Sequence, residues 1–306
     1  MQNTNRILLT LLLLIGLLMP AVASAQKGGL RYTVTVSKFD NDANWTGQWV
    51  IGDAWGAVLT DLLNQSGKFI VLGEADMRNE AMAEQDLGAS GRTAKGAKTP
   101  EIGQLTPAQL LVKGSITHVQ QSTTGGSGGV RIRGVRIGGS KDSAEVTAVI
   151  YMVDSTTGQV LASTTVTGKS DRTGLNLGLS TWGFGGDVET FKKDNVGKAV
   201  TAACSDAVDW LVLQLPNIPW RGSVALIKDG KVYVNRGTRE GVQVGQNFVV
   251  GEPEVIRDPD TGEVLDESVK EVARLQVESV KEKLSICRVT SGTVAKVKKG
   301  MGVQEQ

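Results

Sequence analysis

Histidine occurs once in this 306-residue chain, at His118, and cysteine twice, at Cys204 and Cys287. No cysteine or carboxylate cluster surrounds His118, so the donor set of a metal site is missing. A Ser-His-Asp triad would have to use that one histidine, and no G-x-S-x-G elbow between a strand and a helix supports it. No phosphate loop and no G-x-G-x-x-G leading from a strand into a helix is present. The chain therefore reads as non-enzymatic, with no cofactor and no metal. The net charge is only +1, which argues against nucleic-acid binding by bulk electrostatics. Two distant cysteines in an exported chain could pair, but they do not make a disulfide framework. They read as two buried small hydrophobes.

Long hydrophobic runs are also scarce. The one at the start, Ile7 to Met19, follows Arg6 and precedes "PAVASA". That order reads as a secretory signal over 1–25, cleaved after Ala25. Gln26, not cysteine, follows the cut, so a lipid anchor there is not expected. No later stretch approaches the roughly 18–20 apolar residues of a spanning helix. Any entry into a membrane would have to use strands.

About 280 mature residues suggest two domains. "LRYTVTVSKF" from Leu30 alternates as a strand. "NDANWTGQWVIG" follows as a polar loop. Trp55, Val58, Leu59, Leu62 and Leu63 recur at helical spacing, with Asp53 as the expected N-cap and Gly67 near the stop. "KFIVLG" reads as a short buried strand. A second helix is expected from Asp76 through Glu84. A short one is expected to open at Thr106-Pro107. "LLVKGSITHVQQ" reads as a strand. "SAEVTAVIYMVD" and "QVLASTTVTG" read as a hairpin on the turn Ser155–Gly158. "VGKAVTAACSDAVDWLVLQL" is a long helix with Val200, Cys204, Ala207, Val208, Leu211 and Leu215 on one side. Strands with helices over one face give an α+β fold class.

Pro216 and Pro219 mark a change of character. Beyond them, "GSVALIKDGKVYVN" is a hairpin on Asp229-Gly230, followed by short strands and turns. The expected division is a mixed α/β domain over 26–217 and a small all-β, SH3-like barrel over 218–306. "DPDTGE" at 258–263 resembles half of a calcium loop but reads better as a hairpin turn. "NWT" at Asn44 matches a glycosylation acceptor.

Two Gly-rich insertions interrupt the first domain, at about 122–142 and 170–195. The first holds seven glycines in 21 residues. In it Val130 and Ile132 alternate with Arg131 and Arg133. After Gly134 the phase flips, and Val135 and Ile137 flank Arg136. In the second, Leu175, Leu177 and Leu179 alternate with Asn176, Gly178 and Ser180. Trp182 and Phe184 then alternate with small residues. Each insertion can supply two strands of roughly ten residues, the length a tilted strand needs to cross a bilayer. Alternating apolar and polar faces is the mark of an outer-membrane strand. A lone hairpin exposes unpaired edges in lipid, so only a ring of copies could close such a barrel. Mobile surface loops are the competing reading. In that reading Trp182 and Phe184 pack on the domain.

Residues 30 to about 215 resemble the CsgG family, the secretion channels of curli assembly. The resemblance rests on "LTPAQLLVKGSI", "AEVTAVIYMVDSTTGQVLAS", and the positions of the two insertions. It implies a periplasmic α+β domain in an oligomeric ring. Two hairpins per subunit would build one outer-membrane barrel for export of a secreted protein substrate. It also implies that a loop after the first strand narrows the pore, here with Asn44, Trp45, Gln48 and Trp49 as candidates. A capping role for the tryptophans is the alternative. "KVYVNRGTREGVQVGQNFVV" and "DPDTGEVL" resemble the C-terminal domain of flagellar assembly protein T, a periplasmic scaffold. The implied location is the periplasmic space or outer membrane of a Gram-negative bacterium. The alternative function is a soluble periplasmic scaffold that binds accessory proteins.

Overall fold

The structure, a computed structural model, describes residues 30–94, 96, 98–124, 130–132, 135–137, 141–171 and 188–306. The signal segment lies outside them. Strand β1 (Tyr32–Val36) has all five residues buried, as a central strand requires. It pairs in parallel with β3 (Phe69–Val71) and with β4 (Leu110–Thr124). Strand β4 runs antiparallel to β7 (Lys141–Asp154), and β7 antiparallel to β8 (Val160–Lys169). The short β2 (Asp40–Asn41) adds to β4 beyond β1. The mixed sheet runs in the order β3-β1-β4-β7-β8.

Helices α1 (Ile51–Ser66) and α4 (Asn195–Gln214) pack on each other and on one face of this sheet. Alternation decides which residues meet them. Ala144, Val146, Ala148, Ile150 and Met152 are buried along β7, while Lys113, Thr117, Tyr151, Thr165 and Thr167 on the other face are exposed. Gly168 permits the close seat of α4 on β8, because a Cβ there would run into the Ala199 carbonyl and the Ala203 amide.

Several local expectations are corrected. Helix α1 begins at Ile51, not at an Asp53 cap. Its N-cap position is Val50, with no side-chain cap. Asp53 sits instead in the first turn, where a carboxylate suits the helix dipole, and pairs with Lys38 at 3.6 Å. Gly67 ends the helix in the left-handed region, as expected. The second helix, α2 (Ala75–Ala89), runs five residues past Glu84. No helix forms at Thr106-Pro107. Tertiary bonds win there: the Pro107 carbonyl accepts from the Thr33 hydroxyl at 3.0 Å, and the Thr106 carbonyl from Arg78 at 3.0 Å. Strand β3 is only half buried, as an edge strand. Residues 188–193 form a short helix, α3 (Val188–Lys193), so the second insertion is briefer than expected. Its one buried residue, Phe191, anchors it.

The C-terminal part is a closed barrel in the order β10-β13-β12-β11-β14-β9. The strands are β9 (Arg221–Lys228), β10 (Lys231–Val234), β11 (Asn247–Arg257), β12 (Val264–Val280), β13 (Ser285–Gly292) and β14 (Gly302–Glu305). Asp229 and Gly230 both take positive φ, 52° and 72°, as the tight β9–β10 turn demands. Strands β11 and β12 are longer than the short strands expected. Their outer halves leave the barrel as an arm. Both cysteines are buried free thiols, and burial raises the pKa of each.

A 3-10 turn, Leu215–Asn217, joins the two parts. The Arg31 amide donates to the Glu240 carbonyl at 2.7 Å, and its guanidinium to the Thr238 carbonyl at 2.8 Å. The Tyr32 hydroxyl donates to the Ile218 carbonyl. Burial, with Glu305 acting in the same direction, pushes the Tyr32 phenol up to about 12. The proposed domain boundary at 217/218 has a direct test. Trp220 stacks on Phe248 with centroids 5.0 Å apart, next to buried barrel residues such as Val224, Val232, Leu275 and Val303. Pro216, Asn217 and Pro219 are exposed. Limited proteolysis should cut there, and residues 218–306 alone should give a dispersed NMR spectrum. A disordered fragment would refute the boundary.

Candidate functional site at the base of the insertions

The loop between β2 and α1 is built from short-range bonds. Asn41 clamps it, accepting from the Trp45 amide at 3.1 Å and donating to the Trp45 carbonyl at 2.8 Å. The Ala43 amide donates to the Ile116 carbonyl at 2.8 Å, which fastens the loop to β4. Asn44 adopts φ +52°, a conformation asparagine tolerates.

The two tryptophans have different roles. Trp49 is 4% exposed. Its ring meets Phe191 edge-on at 4.9 Å and Trp45 at 4.5 Å. Trp45 is half buried and lies directly over Gly47, where a Cβ would collide with the indole. The exposed side chains are therefore Asn44, Thr46, Gln48 and Val50. Between Ala43 and Gly52 there is no charged residue. A shallow open pocket of about 480 Å³ adjoins the loop, reached by Gln48, Gln121, Lys193 and Asp194. Gln121 lies on β4 where the first insertion begins, and Lys193 lies where the second has ended. The loop thus sits at the base of both insertions. The sequence reading missed Phe191 as its anchor; the one aromatic in "VETFKK" was the available signal.

Strands β4 and β7 stay paired as far as Thr124 opposite Lys141. Farther out, β5 (Val130–Ile132) and β6 (Val135–Ile137) pair antiparallel. Their register sets Val130 opposite Ile137, Arg131 opposite Arg136, and Ile132 opposite Val135. Directly paired residues share a face. All four apolar positions thus fall on one face and the two arginines on the other. Two edges are open among the described residues. Beyond Ile116, β4 has only β7 as a partner, and β8 has only β7 along its whole length. Leu175, Leu177, Leu179, Trp182 and Phe184 lie outside the described residues.

The turn at 258–263 is a hairpin turn joining β11 and β12. Asp258 accepts from the amides of Asp260 and Thr261, at 2.8 and 2.9 Å. Those bonds hold its carboxyl below the usual range. Among the described residues no group of His, Cys, Asp and Glu could hold a metal ion. Among the described residues no helix is long and apolar enough to cross a membrane, which says nothing of strands.

The family model for "Curli production assembly/transport component CsgG" matches residues 19–246, and the chain belongs to that family. By that description it is a family of curli production assembly and transport components. The match runs past the 3-10 turn into the first barrel strands. No curated protein sequence matches the chain. Among solved structures, the PelC dodecamer from Paraburkholderia phytofirmans is similar at 12% identity. It covers 58% of this chain and 86% of its own, with a TM-score of 0.30. The hypothetical protein CT253 from Chlamydia trachomatis is 13% identical, covering 61% and 99%, with a TM-score of 0.34. Lipoprotein GNA1162 from Neisseria meningitidis is 14% identical, covering 61% and 99%, with a TM-score of 0.27.

Proposed function

We propose that this protein is a non-enzymatic, homo-oligomeric outer-membrane channel that exports a secreted protein substrate of the curli type. The observation that carries this reading is the first insertion. The domain's own β4 and β7 run into it as far as Thr124 opposite Lys141, and within it the separate β5–β6 pair has a register that sorts four apolar residues from two arginines. Such a ribbon has open edges, and in lipid each unpaired backbone group costs several kcal/mol. The open edges of β4 and β8 stand at the two ends of the antiparallel half of the sheet, where neighbouring copies could complete a ring. The uncharged loop of Asn44, Thr46, Gln48 and the half-buried Trp45 then forms the waist. Trp49 supports it from below. An uncharged waist admits chains of either charge sign. The second insertion, with Leu175, Leu177, Leu179, Trp182 and Phe184, supplies the other hairpin.

The competing reading is a soluble periplasmic scaffold whose insertions bind an accessory protein. The test is fractionation of the mature protein followed by electron microscopy of detergent extracts. Rings from the outer-membrane fraction support the channel. Monomers confined to the periplasmic fraction would overturn it.

A further inference from the structure

The barrel carries a feature that the channel reading leaves unused. Among the described residues the β11–β12 ribbon has no third strand between Glu252 and Val272, and its tip meets the β7–β8 turn of the same chain, where Gln159 donates to Glu263 at 3.1 Å. Strand β14 pairs with β11 only as far as Gly251, and β13 with β12 only from Ala273. A two-stranded ribbon in water is marginal by itself. This one holds eight carboxylates and two cations. Ile256 is 51% exposed and Leu265 59%. The register sets Ile256 opposite Asp266, with Leu265 bulged out beside it and Glu254 opposite Ser268. The result is an exposed apolar pair rimmed by acids.

A surface of the opposite kind lies on the barrel wall. Leu226, 48% exposed, pairs across β9 and β10 with the half-buried Tyr233. Lys228 lies directly opposite Lys231 in the same register. Lys231 is held by Glu278 at 2.9 Å. Lys298 and Lys299 precede Gly300, whose amide donates to the Val224 carbonyl on β9. Lys228, Lys298 and Lys299 are exposed and have no ion-pair partner among the described residues. Glu278 already neutralises Lys231, which leaves Lys228, Lys298 and Lys299 as the cations of this wall open to an acidic partner.

We propose that the acidic β11–β12 arm of one copy docks on the basic wall of β9 and β10 in the next copy. Ile256 and Leu265 then meet Leu226 and Tyr233, and Glu254 and Asp266 meet Lys228, Lys298 and Lys299. The two surfaces differ, so the contact is head-to-tail and propagates around a ring. It would hold the barrels together outside the membrane. The second copy is the favoured occupant because size, apolar character and charge sign all match on one chain. The inference rests on the oligomeric reading above, but its test separates the two.

The test is disulfide trapping in the full-length protein in its native envelope. Leu226→Cys and Ile256→Cys are made singly and mixed. The native cysteines are buried and do not compete. Mixed singles should give a cross-linked dimer, neither single alone should, and the double variant should give a ladder. Lys228→Glu with Lys298→Glu and Lys299→Glu should reduce trapping about tenfold. Adding Glu254→Lys and Asp266→Lys should restore it. Detergent-extracted rings without a 226–256 link would overturn the docking and leave the channel standing. A link without rings would support the docking and overturn the channel. A link from position 256 to a different protein, or within one chain of the double variant, would also overturn the docking.

Discussion

Trp49→Ala should destabilise the first domain by about 3–5 kcal/mol, the usual cost of removing a buried large aromatic. Gln48→Arg, one residue away, should stay within about 0.5 kcal/mol of the parent. The contrast follows from position alone. Trp49 is 4% exposed and wedged between Trp45 and Phe191. Its loss removes ring contacts on both sides and frees α3, whose buried anchor is Phe191. Gln48 is exposed on a loop fixed by Asn41, and its side chain supports nothing beneath it. Urea unfolding of the two variants reads the difference. The functional readout runs the other way. If the loop forms the waist of a channel, Gln48→Arg adds one positive charge per copy to an uncharged ring. Conductance in planar bilayers should then fall and selectivity should move toward anions. Equal stability of the two variants would refute the structural assignment of Trp49. An unchanged reversal potential for Gln48→Arg in conducting rings would refute the waist.

The sequence made most of the first domain legible because its elements are amphipathic with clean periods. Ala144 to Met152 alternate, and Val200 to Leu211 recur at helical spacing. Each period could serve only one structure. What failed were features decided by contacts distant in sequence. Asp53 has the chemistry of an N-cap, yet the helix starts two residues earlier, where the backbone meets Phe39. Thr106-Pro107 has the chemistry of a helix start. The bonds of Pro107 to Thr33 and of Thr106 to Arg78 keep it extended. The arm of β11 and β12 was missed for another reason. Its residues are charged on both faces, so no alternation marks them as strands. Only the cross-strand pairing continues through them.

The site was legible in part. The uncharged run from Ala43 to Gly52 and its two tryptophans stand out in the sequence. Which tryptophan points inward depends on Phe191, about 140 residues away, and no local pattern carries that. The first insertion shows the opposite case. Its phase flip at Gly134 looks like a defect when read along the chain. Read across the hairpin, it is what lets both strands present apolar residues on one face. The register pairs Ile132 with Val135, so an unbroken alternation would have set apolar against charged.

That register makes the hairpin itself testable. Val135→Arg should abolish recovery of rings from the outer membrane, while Arg136→Gln should leave it intact. In the channel reading, the face shared by Val130, Ile132, Val135 and Ile137 meets acyl chains. Arginine on that face near mid-depth costs about 2–4 kcal/mol per copy, and every copy in a ring incurs it. Arg136, paired with Arg131, belongs to the other face, where water in the lumen solvates it. Removing that charge changes selectivity and not insertion. Leu177→Arg and Asn176→Arg make the matching pair in the second insertion: the first should block insertion and the second should not. In the surface-loop reading the hairpin is solvated on both faces, and all four substitutions stay within about 0.5 kcal/mol of one another; where the second insertion packs on the domain, Leu177→Arg is costly without a membrane. Ring yield in detergent measures insertion, and thermal unfolding of a chain lacking residues 125–140 and 172–187 measures the domain without its hairpins. Equal ring yields for Val135→Arg and Arg136→Gln would remove the lipid face from the hairpin, and the open edges of β4 and β8 would then need a protein partner.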